Sequence, residues 1–461
     1  MAHLQNKLRK LLNIFNSSAP TFRNGVHPHD YKQMTQELAI VRMPFVDEYI
    51  LPLSQHLGSQ SKPVVAVGDK VYRGQLIAAP DGFVSAALHA SVTGTVKSIG
   101  PHSHASGKIV DAITLVRDPY SPQTLFREQK TVWQKLEKSD LIERIRMGGF
   151  VGLGGAAFPT HVKLSIPEGK RADFFLINAA ECEPYLTSDY RIMLECASSI
   201  FEGARICMQI LGARKAFIGC ETNKMDAVDH LQKHKPADLD IEIVAMQTKY
   251  PQGAEKMLTE VVLNREIPSG KLPVDIEVVV NNVGTVAAIG DMFSFGQPVI
   301  ERVVTITGPG IRKPANLLIP IGTKLLDVID YCGGMHDNIR QVLFGGPMMG
   351  TSLRFLDAPI MKGTSGILFL NEKQVVHREE FPCIKCRRCV EACPVYLNPS
   401  RLGALAKARL YDEMINYHIM DCMECASCSY ACPSNIPLVQ RFRVSKALLR
   451  EKMAREKAVA Q

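Results

Sequence analysis

Hydrophobic positions along this chain change their period repeatedly, and each change marks a different kind of element. At the start, Leu4, Leu8, Leu11, Leu12 and Phe15 recur at helical spacing, with Lys7, Arg9 and Lys10 over the rest of the surface. Residues 1–30 are therefore predicted to form an amphipathic arm, suited to a partner, an anionic membrane or the protein's own surface. Residues 31–125 carry short β-rich runs (Val64–Val67, Gln75–Ala78, Gly94–Ile99) divided by Gly and Pro turns, which predicts an all-β unit. From 126 to 300 the period alternates. Phe174–Asn178, Lys215–Gly219, Ile241–Ala245 and Glu277–Asn281 read as buried strands, with helical stretches around 189–211, 223–234 and 252–264 between them. That is the pattern of an α/β layer fold, whose sites collect at the carboxyl ends of the strands. Residues 301–375 turn β-rich again, with a strand at Arg302–Thr307, a turn at Gly308–Gly310 and a short helix at Thr323–Tyr331. Residues 376–461 hold a helical connector and a charged terminal helix.

Two of these units can be described more closely. Val67-Gly-Asp-Lys-Val-Tyr-Arg-Gly74, followed by Leu76-Ile77, resembles the hairpin of lipoyl and biotinyl carrier domains. A carrier needs a lysine at an exposed hairpin tip. The candidate turn, Leu88–Gly94, has none, so residues 31–125 are predicted to be a barrel-sandwich hybrid used as structure. His102 and His104, in a Gly/Ser loop, are expected to be plain surface and not a metal pair. Residues 301–375 resemble a β-grasp domain.

The length of 461 residues supports several domains at roughly 100–200 residues each. With 46% hydrophobic and 22% charged residues the chain is not disordered. A net charge of +8, from 54 basic and 46 acidic residues, does not by itself imply nucleic acid. The chain contains no apolar stretch long enough to span a membrane, and its start lacks a signal-peptide core. A reducing cytoplasm is therefore expected.

Cysteine changes the picture most. Of 13 cysteines, Cys182, Cys196, Cys207, Cys220 and Cys332 are scattered, and eight crowd between 383 and 432. They form Cys383-Ile-Lys-Cys386-Arg-Arg-Cys389-Val-Glu-Ala-Cys393-Pro394 and Cys422-Met-Glu-Cys425-Ala-Ser-Cys428-Ser-Tyr-Ala-Cys432-Pro433. Structural zinc usually takes pairs of Cys-x2-Cys, whereas a tripled run with a trailing Cys-Pro holds [4Fe–4S] clusters. In such a pair of motifs the fourth thiolate reaches across to the other cluster. Cys383, Cys386, Cys389 and Cys432 are thus expected to hold one cluster, and Cys422, Cys425, Cys428 and Cys393 the second. Lys385, Arg387 and Arg388 interleave the first motif. They would raise the potential of an anionic cluster, attract an acidic electron carrier, or both.

Clusters move single electrons and need a source. The loop Gly148-Gly-Phe-Val-Gly152-Leu-Gly154-Gly155-Ala-Ala-Phe158-Pro-Thr160-His-Val-Lys163 lets backbone N–H groups approach a phosphate or a flat ring. Its glycine spacing alone is a weak signal, and it does not follow a strand as a standard dinucleotide loop does. The run Gly152–Thr160 with Lys163 resembles the flavin loop of the NADH-oxidising flavoprotein subunit of respiratory complex I. Asn178-Ala-Ala-Glu181-Cys-Glu183-Pro184, Tyr250-Pro-Gln-Gly253-Ala-Glu255 and Asn281-Asn282-Val-Gly-Thr285 resemble that family's further motifs. The order of units also resembles the C-subunit family of Rnf (Rsx) ion-translocating electron-transport complexes, over nearly the whole chain.

The resemblance implies a multidomain α/β plus β chain. It would comprise the arm (1–30), a barrel-sandwich domain (31–125), a Rossmann-like α/β domain for FMN and NADH (126–300), a β-grasp domain (301–375) and an α-helical ferredoxin-like domain with two clusters (376–461). It implies that Gly152, Gly154, Gly155 and Lys163 cradle FMN, and that Asn178, Asn281, Asn282 and Thr285 hydrogen-bond its phosphate and ribityl chain. Glu181, Glu183, Gly253 and Glu255 would line the cavity, with Phe158 stacking on the nicotinamide nucleotide. Leu153, Ala180 and Ala254 depart from the complex I pattern, which has arginine, an acid and glutamate there. Two cluster motifs where the complex I flavoprotein has one favour the Rnf-type family.

By the same resemblance the partners would be membrane subunits and a ferredoxin-type carrier, at the cytoplasmic face of a bacterial inner membrane. The alternatives are a soluble NADH-linked flavoprotein feeding a hydrogenase or formate dehydrogenase, and a scaffold whose nucleotide fold is empty.

Overall fold

A computed structural model describes residues 19–126, 132–376 and 378–459. The amphipathic helix expected over residues 4–15 lies outside them. The α/β region is built on four parallel strands, in spatial order Ile241–Met246, Lys215–Glu221, Phe174–Ala179 and Val278–Asn282. Chain order runs outward from Phe174–Ala179 for two steps and then returns to its other side. The connections therefore diverge between Phe174–Ala179 and Val278–Asn282, and a crevice opens at their carboxyl ends.

The helical stretch expected over 189–211 is two helices, Ser188–Glu195 and Ala197–Leu211. They part at Cys196, whose φ of −125° leaves the helical range. Ala197–Leu211 lies against Val283–Phe295 at backbone distance. A Cβ on Gly203 would stand 1.9 Å from the Val286 carbonyl oxygen, and one on Gly290 2.1 Å from that of Ser199. Only glycine fits at this crossing. It fixes Val283–Phe295 with its amino end at the crevice.

The β region forms two small sheets. One contains Glu48–Pro52, Ile109–Arg117, Gly94–Ser103 and Lys70–Val71, and the other Lys62–Pro63, Leu76–Ala79 and Leu88–His89. Val64–Val67 is not a strand. Asp69 closes a turn by accepting from the Ala66 N–H at 2.8 Å, which leaves Val64 and Val67 exposed. The Leu88–Val92 segment is buried and not a free tip. Lys362 Nζ donates to the carbonyls of Ala87 (2.6 Å) and Gly149 (2.7 Å), and Ser91 donates to Ile321 O at 2.6 Å. Burial pushes the Lys362 amine down to about 7. This segment wedges the glycine loop against the next unit.

That unit is a six-stranded mixed sheet around Glu301–Thr307, with the helix Leu325–Tyr331 beside it. It also takes in the early strand Ile40–Arg42, which pairs in parallel with Ala315–Pro320. In the cysteine region the connector is two helices, Pro399–Lys407 and Tyr411–Asn416, separated where Arg409 takes a left-handed φ of 59°. The long helix Leu438–Val459 packs against them. Residues 19–30 run as a strap across these parts. Gln247 N donates to Pro20 O at 3.0 Å, Val26 bridges to Tyr250, and Asn24 Nδ2 donates to Cys393 O at 3.1 Å.

Candidate functional site

The crevice between Phe174–Ala179 and Val278–Asn282 gathers most of the glycine-loop candidates. Gly152 N donates to Phe158 O at 2.9 Å, closing the loop on itself. Leu153 N donates to the Thr285 hydroxyl at 2.9 Å, which ties the loop to the first turn of Val283–Phe295. Asn282 caps that helix, its Oδ1 accepting from Gly284 N (2.9 Å) and Thr285 N (3.3 Å). A Cβ on Gly154 would stand 2.4 Å from Asn282 Nδ2, whereas one on Gly155 would meet nothing within 4 Å. The loop thus lies directly on a helix amino terminus, where anions are favoured. Asn281 beside it is buried, and its amide nitrogen has no partner in the chain. An unpaired buried donor at that strand end fits a hydrogen-bonding ligand. Lys163 pairs with Glu255 and donates to Val280 O at 3.2 Å. Asn178 Nδ2 donates to Gly253 O at 2.8 Å, so both second-motif and third-motif residues meet here. Phe158 is half-buried at the loop's end.

The acids are engaged elsewhere on the rim. Glu181 turns its carboxylate onto the amino end of Ser188–Glu195, accepting from Asp189 N (2.7 Å) and Tyr190 N (3.2 Å). Glu183 accepts from the N–H groups of Met348 (3.1 Å) and Met349 (2.7 Å), clasping a loop of the mixed-sheet unit. Burial pushes the Glu183 carboxyl up to about 7, against the pull of those two donors. Lys32 Nζ donates to the carbonyls of Glu181 (3.0 Å), Glu183 (3.1 Å) and Leu186.

Three residues reach the site without a sequence signal. Asp189 accepts from Asn282 Nδ2 at 2.7 Å, and burial with Glu181 alongside pushes its carboxyl well up. Arg302, from the mixed-sheet unit, donates to Leu153 O at 2.9 Å and to Lys362 O. It brings a buried guanidinium beneath the loop at Leu153, where the complex I pattern has its own arginine. Lys446, on the last long helix, is buried and donates to Cys422 O at 2.6 Å.

Among the described residues no three His, Cys, Asp or Glu side chains converge as they would on a single ion. His102 bonds Thr114 at 3.2 Å, and His104 bonds Ser106 and the Ser54 carbonyl. The eight cysteines stand around two hollows, four to each. Cys383, Cys386, Cys389 and Cys432 line a cavity of about 360 Å³ that also includes Lys385 and Arg387. Cys393, Cys422, Cys425 and Cys428 line a tighter one of about 20 Å³. Soft thiol donors in fours are the donor set of a multi-iron cluster, one set to each hollow. The two hollows differ in depth: Cys383 and Cys386 are exposed, whereas Cys393, Cys425 and Cys428 are buried.

Tyr250 joins the crevice to the deeper hollow. It is 1% exposed, and its hydroxyl donates to the Cys425 carbonyl at 2.9 Å. Cys182 and Met348 pack in the same apolar cluster as Tyr250, Ala392 and Cys425. Gly253 N reaches Cys182 Sγ at 3.3 Å, which completes a continuous packed path from the Asn178 strand end to Cys425.

Comparison with known proteins adds names to this geometry. Four family models match: the RnfC barrel sandwich hybrid domain over residues 20–119, the Nuo51 FMN-binding domain over 145–291, the SLBB domain over 303–352 and the 4Fe-4S dicluster domain over 382–436. The C-subunit of the proton-translocating ferredoxin:NAD(+) oxidoreductase complex of Clostridium ljungdahlii is 46% identical over 95% of this chain and 96% of its own length. The C-subunit of the Na(+)-translocating ferredoxin:NAD(+) oxidoreductase complex of Acetobacterium woodii is 41% identical over 92% and 96%. The C-subunit of the ion-translocating oxidoreductase complex of Rhodobacter capsulatus is 39% identical over 95% and 84%.

Proposed function

The chain belongs to the C-subunit family of ion-translocating ferredoxin:NAD(+) oxidoreductase complexes, and we propose that it is the peripheral subunit that exchanges electrons with NAD(H) in such a complex. Its cofactors are FMN and two [4Fe–4S] clusters. FMN held there would supply hydride exchange with NAD(H) and one-electron exchange with the clusters. No helix among the described residues is long and apolar enough to cross a membrane. We place the protein on spanning partner subunits at the cytoplasmic face of a bacterial inner membrane, exchanging electrons with them and with a ferredoxin-type carrier.

In this reading the units are a barrel-sandwich domain (31–125), a Rossmann-like flavin domain (126–300), a β-grasp domain (301–375) and a helical ferredoxin-like domain (376–461). Gly152, Gly154 and Gly155 let the flavin phosphate approach the amino end of Val283–Phe295. Asn178, Asn281, Asn282 and Thr285 orient its phosphate and ribityl chain, and Lys163 supplies positive charge. Phe158, Gly253, Glu255, Glu181 and Glu183 shape the nicotinamide side, the two last through the loops they hold. Cys393, Cys422, Cys425 and Cys428 ligate the flavin-proximal cluster, and Cys383, Cys386, Cys389 and Cys432 the distal one.

The observation that carries this reading is the Tyr250 hydroxyl on the Cys425 carbonyl, inside a packed apolar cluster that joins the crevice to the deeper hollow. The test is anaerobic purification followed by NADH titration, read by absorbance and EPR. About eight iron atoms and one FMN per chain are expected, with the proximal cluster reduced by NADH. A protein without flavin would defeat the nucleotide half and leave the clusters standing. Gly154→Ala should lose FMN, because its Cβ collides with Asn282, whereas Gly155→Ala should retain it.

A further inference from the structure

We propose that Arg302, on the mixed-sheet unit, is a positioning residue of the flavin site, aiming the Gly154 N–H at the flavin phosphate and supplying the fixed positive charge beneath it. The proposal rests on the flavin reading above and adds to that site a residue from another unit. Arg302 lies on the strand Glu301–Thr307 and is 6% exposed. Its guanidinium donates to carbonyls alone: Leu153 O at 2.9 Å, Val303 O at 3.3 Å and Lys362 O.

The Leu153 carbonyl and the Gly154 N–H belong to one planar trans peptide, so they point in opposite directions. Arg302 holds the carbonyl on the buried side of the loop, which turns the N–H to the open side, where Gly154 and Gly155 are exposed. The preceding N–H, that of Leu153, is tied to the Thr285 hydroxyl at 2.9 Å, so the loop is pinned just before this peptide as well. The Gly154 N–H itself has no partner among the described residues. A free N–H held in one direction beside the amino end of Val283–Phe295 is a donor for an anion.

Charge points the same way. Lys163, the cation within the loop sequence, pairs with Glu255, which offsets it. Asn282 Oδ1 already takes the N–H groups of Gly284 and Thr285, so those two first-turn donors are not open to a ligand. Arg302, by contrast, has no carboxylate at ion-pair distance among the described residues. The acid whose field reaches it, Asp189, is turned onto Asn282 Nδ2 at 2.7 Å. Burial pushes the Arg302 guanidinium down to about 10, which leaves it charged at neutral pH, whereas Lys362, the other buried cation under the loop, is down at about 7. A buried charge without a partner is costly. A phosphate on the loop supplies that partner, and the uncharged ring of an oxidised flavin does not.

Substitution can separate the charge from the contacts. Arg302→Gln keeps an amide donor for Leu153 O and removes the charge. Arg302→Lys keeps the charge and loses the fork. Arg302→Met is a second neutral variant, read in place of Arg302→Gln if that chain does not fold. Each full chain, with clusters loaded and flavin removed, is checked by iron content and circular dichroism. It is then titrated anaerobically with FMN and with riboflavin, which lacks the phosphate, and binding is read by flavin fluorescence.

The neutral variants are expected to bind FMN about tenfold or more weakly, with riboflavin affinity changed by less than about threefold. Arg302→Lys is expected to keep the preference for FMN. Equal losses of FMN and riboflavin would overturn the proposal, by reducing Arg302 to packing of the loop. A lysine variant that loses as much preference as the neutral ones would overturn it, by removing charge from the account. Unchanged preference would overturn it in any case. If the flavin midpoint potential then fell by about 30 mV, tenfold in the two-electron equilibrium, the charge would belong to the reduced ring instead. Failure of the unmodified chain to bind either flavin would strike the flavin reading and not Arg302.

Discussion

Around the first cysteine loop the chain turns on Lys385, Arg387 and Tyr396, with φ of 56°, 65° and 56°; around the second it turns on Glu424, Ala426 and Asn435, with φ of 58°, 65° and 51°. The two loops are the same backbone built twice. Their surroundings differ throughout. The first opens to solvent among unpaired cations, whereas the second is packed beneath Tyr250, Met423 and Phe442. Its acid, Glu424, is matched by Lys446 at 2.8 Å and Arg443 at 3.6 Å. The repeat sets where four thiols can meet. The surroundings decide which set lies packed against Tyr250 and which opens to solvent.

The sharpest way to break that comparison is to remove one thiol from each set. Cys425→Ser is expected to lose about four of eight irons and to stop NADH from reducing either cluster. Cys386→Ser should lose a similar amount of iron but leave the flavin-proximal cluster reducible by NADH. Iron assay with EPR distinguishes them, and identical EPR behaviour would refute the assigned order. Tyr250 comes next. Tyr250→Ala empties a fully buried site and should cost about 3–5 kcal/mol by denaturant unfolding. Tyr250→Phe keeps the packing, removes the bond to Cys425 O, costs about 1 kcal/mol and slows transfer to the proximal cluster.

Removing cations sharpens the contrast further. Lys446→Gln deletes a buried charge beside Cys422 and should lower the proximal cluster's potential in an EPR redox titration. Arg388→Ser, at the exposed loop, should shift the distal potential less, because water screens it. The smallest effect is in pH dependence. Glu183 clasps Met348 and Met349 beside the buried cluster, and its carboxyl is pushed up to about 7 by burial. The folded chain therefore binds a proton there that the unfolded chain releases in the ordinary carboxylate range. That contribution to stability is present below this range and is lost as pH rises through about 7. Thermal unfolding across this interval should show a downward slope with pH that Glu183→Gln reduces.

Local pattern exposed much of this in the sequence. The strands at 174, 215, 241 and 278 begin within one residue of their apolar runs and end within two, because strands that are mostly buried carry few polar positions to confuse their reading. The spacing of the cysteines sorts them into the same two sets that line the two hollows. What local pattern could not show was anything decided by distant packing. Val64–Val67 has strand-forming residues, but its pairing stops at Val64, which donates to Ile77 O at 2.9 Å, and Asp69 turns the chain beyond it. Cys196 and Arg409 break helices at residues with no Gly or Pro to announce it. Arg302 reaches the glycine loop from 149 residues away, and no spacing rule links a β-strand arginine to Leu153. The depth difference between the hollows is also invisible in two nearly identical motifs.

The strap at residues 19–30 gives the chain an order of assembly. Asn24 holds the carbonyl of Cys393, a partner 369 residues further along. At about 5–20 residues per second of synthesis, that partner emerges roughly 20 to 75 s after Asn24 itself. Through that interval Pro20 and Val26 can already meet Gln247 and Tyr250, while Asn24 waits for the cysteine region. A late-made segment is thereby latched onto an early one, and of the strap's contacts with Gln247, Tyr250 and Cys393 the last to form is the one Asn24 makes.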